Sequence, residues 1–178
     1  MNDYGMFTEP GTIRFERILP GPIERVWSYL TESEKRGQWL ASGEMDLRKG
    51  GSVELIFNNS TLTSHHETPP EKYKEYDGES RMYGTITEIK PPKRLSYTWS
   101  ESSGVSEVTF ELESKGKQVK LTLTHRRLGD DHNILISVAG GWHTHLNILV
   151  DKLNGREPKG FWSEHMKAEK LYEKQLVK

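Results

Sequence analysis

Leu135, Val138, Trp142, Leu146, Leu149 and Leu153 recur at intervals of three and four, which places all six on one stripe of a helix about five turns long. Gly129-Asp130-Asp131 supplies a start signal and Asn154-Gly155 a stop. A helix with one apolar stripe needs a partner with one apolar face, and the chain ahead of it is written in the other period. Thr12 to Ile18 alternates apolar and polar residues, as a half-buried strand does, and Val53, Leu55 and Phe57 alternate with Glu54 and Asn58. Arg81 to Ile89 and Leu95 to Trp99 are joined by Lys90-Pro91-Pro92-Lys93, and Val105 to Leu112 and Val119 to His125 by Ser114-Lys115-Gly116-Lys117. Met45 and Leu47, ahead of the Lys49-Gly50-Gly51 turn, read as further strand material. Successive hairpins of this kind make an antiparallel meander.

Two short helices interrupt the strands early. Pro22 suits the start of a helix whose Ile23, Val26, Trp27 and Leu30 share a face, and Thr31-Glu32-Ser33-Glu34 caps a second one reaching Trp39 and Leu40. Residues 59–79 are polar, carry Pro69-Pro70 and lack a period, so a long mobile loop is expected there. A last helix, from about Ser163 to Val177, shows Met166, Leu171 and Leu176 on an otherwise charged surface. Strands in series with helices toward the ends predict an α+β fold, with a curved antiparallel sheet of about six to seven strands wrapped on the long C-terminal helix. The expected organisation is a single domain over 1–178, with a core at 11–155 and a C-terminal extension at 156–178.

Composition narrows the partners. Lys+Arg 25 against Asp+Glu 26 leaves a formal charge of −1, which provides no electrostatic reason for a nucleic-acid partner. There is no cysteine, which removes disulfides, thiol nucleophiles and Cys-based metal sites and fits a reducing, cytoplasmic setting. No secretory leader and no run long enough to span a bilayer is visible.

The pattern Gly84-Thr85-Ile86-Thr87-Glu88-Ile89, Pro91-Pro92 and Arg94-Leu95-Ser96-Tyr97-Thr98-Trp99, then Val108-Thr109-Phe110-Glu111-Leu112 and Leu121-Thr122-Leu123-Thr124-His125, resembles the SRPBCC or START-like superfamily. It is most similar to the branch of homologues of the C-terminal domain of the heat-shock-protein-90 ATPase activator. Pro22-Ile23-Glu24-Arg25-Val26-Trp27 and Trp39 match that branch's opening helices, and Gly140-Gly141-Trp142 its long helix. The resemblance covers roughly residues 11 to 155. It implies a helix-grip fold with a cavity for lipids, polyketide-like aromatics or other hydrophobic molecules. The long 59–79 insertion and the helix beyond Pro158 depart from the common pattern; either could cover a pocket mouth or mediate a homodimer.

Within that frame, the candidate pocket-lining residues are Trp39, Phe57, Met82, Tyr97, Trp99, Phe110, His125, Val138, Trp142, His145 and Leu149. Tyr97, His125 and His145 are the polar ones; each is read either as a ligand contact or as a core side chain with an internal partner. No metal site is expected: His143 and His145 lie two apart, on opposite sides of a helix, and no His-Glu-x-x-His occurs. The chain also lacks a Gly-x-Ser-x-Gly elbow, a Walker loop and a dinucleotide fingerprint, so no catalytic residue and no cofactor is assigned.

Three functions compete. The leading one is non-catalytic binding of a small hydrophobic ligand, aromatic, polyketide-like or acyl. The second is a chaperone cofactor acting through its surface, although residues 1–10 hold no counterpart of the activator's N-terminal half. The third is a cyclase or dehydratase using His125 or His145 as acid–base in the same cavity.

Overall fold

A computed structural model describes residues 4–101 and 104–176. Seven strands form one antiparallel sheet: β1 (Met6–Glu9), β2 (Thr12–Pro20), β3 (Ser52–Phe57), β4 (Ser80–Lys90), β5 (Arg94–Glu101), β6 (Gly104–Lys115) and β7 (Gln118–Arg126). Their spatial order is β1-β2-β7-β6-β5-β4-β3. Helices α1 (Ile23–Thr31) and α2 (Ser33–Arg36) follow β2, and α3 (His132–Leu153) and α4 (Phe161–Leu176) close the chain. This is the α+β architecture that the two periodicities predict and the helix-grip fold that the resemblance implies.

Cross-strand register shows why alternation encodes it. Ile13 pairs with His125, His125 with Val108, Val108 with Tyr97 and Tyr97 with Ile86, giving one inward row across five strands. A second row runs Phe15, Leu123, Phe110, Leu95. Every member of both rows is buried. Gly84 in β4 serves close strand approach, since a Cβ there would stand 2.2 Å from the Thr98 carbonyl oxygen of β5.

Helix α3 begins at Asp131, whose carboxylate accepts hydrogen bonds from the backbone N–H groups of Asn133 and Ile134 at 2.9 and 3.4 Å. It is buried on two sides. Leu135, Trp142, Leu146, Leu149 and Leu153 are buried, as the stripe predicts, whereas Val138 is only half-buried. Gly140 and Gly141 face α4 instead: a Cβ on Gly140 would meet Glu169 Cγ at 2.9 Å. The paired glycines thus let α4 seat against α3.

Four local expectations need correction. The four-residue β1 adds an edge strand that the alternation did not reveal. The segment at Met45 runs along β3 through two separate bridges, Ser42 to Ile56 and Met45 to Val53, without forming a continuous strand, and Leu47 is exposed. In α4, Met166 and Leu171 are exposed; the buried face is Phe161, Trp162, His165, Ala168, Glu169 and Tyr172. The expected end of that helix, Val177, lies outside the described residues. Residues 59–79 are docked, not loose: they form two 3-10 turns, Asn59–Thr61 and Glu71–Tyr76, and grip α4. Trp162 Nε1 donates to Ser60 Oγ at 2.9 Å, Ser163 donates to Glu67 from both its N–H (3.0 Å) and its hydroxyl (2.6 Å), and Tyr73 stacks on Trp162. Burial pushes the Glu67 carboxyl up, but the Ser163 bonds outweigh it and hold it below the usual carboxylate range.

Candidate functional site

Between the inner face of β3, β4, β5 and β7, helices α3 and α4, and the 59–79 segment lies a cavity of about 520 Å³. That is well inside the range of small-molecule sites. Of the eleven candidate lining residues, Phe57, Met82, Trp99, His125, Val138, Trp142 and His145 meet there. Trp39, Tyr97, Phe110 and Leu149 do not; they are packed into the core behind it. Trp39 is turned away by its indole N–H, which donates to the Tyr29 carbonyl at 2.8 Å, so neighbouring Leu40 reaches the cavity in its place. Tyr97 and Phe110 fill the second rank of the same aromatic layer, with Phe110 against Trp39 and Trp142.

The part of the wall that sequence reasoning missed comes from outside the strands. Phe161, Trp162 and His165 come from α4, Tyr73 and Tyr76 from the second 3-10 turn, and Asn59 from the first. Phe161, Trp162 and His165 stand at i, i+1 and i+4, a spacing that could have marked them as one buried face. Tyr73 sits inside the charged run Glu71–Glu75 and carries no such signal.

His125 is fully buried and both ring nitrogens are engaged. The Trp142 indole N–H can only donate, and it donates to Nδ1 at 2.9 Å. The proton must then sit on Nε2, 2.7 Å from Ser106 Oγ, and the Ser106 hydroxyl passes the bond on to the Trp99 carbonyl at 3.3 Å. Protonating Nδ1 would set two N–H groups against each other. Burial alone pulls this imidazole down to about 3. The ring therefore stays neutral, with one tautomer fixed and neither nitrogen free for a substrate.

His145 differs. Its Nδ1 lies 2.8 Å from the Trp39 carbonyl oxygen, which can only accept, so Nδ1 carries the proton. Burial lowers it to about 4, the Trp39 bond opposing and the neighbouring His165 reinforcing the shift. The flanking His143 points elsewhere, its Nδ1 2.8 Å from the Tyr172 hydroxyl. Beside the cavity, His165 Nδ1 lies 2.8 Å from Glu169 Oε1, close enough for an ion pair but poorly directed as a hydrogen bond. Lys72 reaches the other oxygen of Glu169 at 2.5 Å. Burial would raise the Glu169 pKa; His165 and Lys72 outweigh it and bring it down to about 2. Tyr73 donates to Ser137 Oγ at 2.9 Å, and burial holds its phenol well above the ordinary value. Among the described residues no group of three or more His, Asp or Glu side chains is placed to hold a metal ion, and no helix is long and apolar enough to cross a membrane.

The family model described as activator of Hsp90 ATPase homolog 1-like protein matches residues 20–154, most of the chain. The chain belongs to this family. No curated protein matches it. Among solved structures, the protein encoded by gene BPP1335 of Bordetella parapertussis is 44% identical, with a TM-score of 0.82 over 99% of this chain and 92% of that one. CalU16 of Micromonospora echinospora shares the fold at 21% identity and a TM-score of 0.69, covering 94% of this chain and 89% of its own. DynU16, a protein of the dynemicin biosynthetic locus, does so at 18% identity and 0.64, over 84% of this chain and 49% of that one. These last two likenesses carry the fold alone. Helix α4 lies beyond the family match, so one wall of the cavity is built from chain outside it.

Proposed function

We propose that the protein binds a small hydrophobic ligand in the cavity between sheet and helices and carries out no chemistry on it. The observation that supports this reading is the make-up of the wall: aromatic rings from five elements surround the space, and the imidazole best placed by sequence for acid–base work is locked neutral between Trp142 and Ser106. A histidine acting as general acid or base needs a ring nitrogen within reach of the substrate, and both nitrogens of His125 are taken by Trp142 and Ser106. A cyclase or dehydratase reading thereby loses its leading residue. A setting in the cytoplasm fits the absence of cysteine. Neither a chaperone-binding surface nor a self-association surface enters this reading.

Three tryptophans at the wall, Trp99, Trp142 and Trp162, supply the assay. Titration with a panel of flavonoids, aromatic polyketides and fatty acids should give saturable changes in their fluorescence with at least one class, and native mass spectrometry of protein purified without refolding should show the same complex. Linear, unsaturable responses across the whole panel would sink the proposal.

A further inference from the structure

Of the three histidines in the cavity wall, His125 and His145 differ in their bonding in a way that bears on the ligand. His125 spends both ring nitrogens on protein partners. His145, only 6% exposed, spends one. With the proton on Nδ1 and given to the Trp39 carbonyl, its Nε2 is left as a lone pair, and among the described residues no group donates to it. The ring as a whole is buried and lines the cavity, so this acceptor is left for whatever occupies that space. Flat rings stand around His145: Phe161 at 4.9 Å, Phe57 at 6.3 Å and Trp142 at 6.5 Å between centroids. Asn59, on the same wall, also lacks a side-chain partner, and its Oδ1 is buried.

We infer that the cavity selects an aromatic ligand bearing a neutral hydroxyl, of phenol type, which donates its proton to Nε2 of His145. This rests on the reading of the cavity as a ligand site. The ring of such a ligand lies among Phe57, Trp142 and Phe161, and its hydroxyl meets the lone pair of His145 Nε2. A carboxylate is disfavoured at the same place, because a neutral imidazole with its proton committed to Trp39 presents only a lone pair to the anion. Arg81, which also lines the cavity, is already engaged by Glu54 and Glu79. The cavity therefore discriminates between the aromatic and the acyl members of the hydrophobic class.

The test is a matched series titrated into the full chain by calorimetry: 2-naphthol, 2-methoxynaphthalene, naphthalene and 2-naphthoate. The expected result is 2-naphthol about tenfold tighter than 2-methoxynaphthalene, with 2-naphthoate weakest. In protein labelled with ¹⁵N at histidine, the His145 Nε2 resonance should move on adding 2-naphthol and stay put with 2-methoxynaphthalene. His145→Phe should erase the preference while retaining naphthalene. Should that variant fail to fold, the wild-type series and the resonance still decide. Equal affinity for the naphthol and its methyl ether, or tightest binding of the naphthoate, overturns the inference and leaves hydrophobic binding intact. No saturable binding by any of the four overturns both.

Discussion

Acidifying the protein from pH 7 to pH 5 should remove about 4 kcal/mol of stability, and two histidines account for it. An unperturbed imidazole titrates at 6.5, whereas burial lowers His125 to about 3 and His145 to about 4. Below pH 6.5 the unfolded chain takes up a proton at each site and the folded chain does not. The contribution of each is therefore fully present above 6.5 and drains away as pH falls toward the folded values. The slope is about 1.4 kcal/mol per pH unit per proton, so roughly 1.5 units amount to about 2 kcal/mol for each ring. The depressed carboxyl of Glu169 acts lower, from 4.5 down to about 2, and leaves the window clear. Urea unfolding followed by tryptophan fluorescence at pH 7, 6 and 5 measures the slope. His125→Gln keeps an acceptor for Trp142 and a donor for Ser106 but cannot titrate, so it should halve the pH dependence. A stability that stays flat between pH 7 and 5, or a slope identical in wild type and H125Q, would refute the tautomer argument.

Two further changes probe the frame around the cavity. Gly84→Ala forces a methyl to within 2.2 Å of the Thr98 carbonyl and should cost about 3 kcal/mol in thermal unfolding; a variant as stable as wild type would contradict the close approach of β4 and β5. Trp162→Leu removes both the bond to Ser60 and the stack on Tyr73, so trypsin should cut at Lys72 and Lys74 several-fold faster, and an unchanged rate would show that the 59–79 segment is held by something else.

Much of the frame could be read in advance because burial on one face imposes a period. The α3 stripe and the inward rows through His125 and Phe110 follow from it directly. The cavity could not be separated from the core in the same way: Tyr97 and Trp99 have the same period and the same inward sense, yet only Trp99 faces the open space. What sorts them is depth along the strand relative to α3 and α4, a three-dimensional quantity that alternation does not encode. Helix α4 misled for a different reason. Its buried face includes His165 and Glu169, in close contact beneath Tyr73 and Lys72, so polarity pointed to solvent where the fold has packing. The short β1, with mostly exposed side chains, carried no period at all.

The interlock between the 59–79 segment and α4 makes them a matched set. Glu67 with Ser163, Lys72 with Glu169 and Tyr73 with Trp162 join stretches of chain nearly a hundred residues apart. Both stretches contribute to the cavity wall, while the sheet and α3 form the rest. Transplanting either stretch alone into a relative would strand a buried carboxylate or an unstacked indole; transplanting both together keeps every contact. Diversification of what such a cavity accepts is thus expected to proceed by paired replacement of these two segments on an unchanged grip.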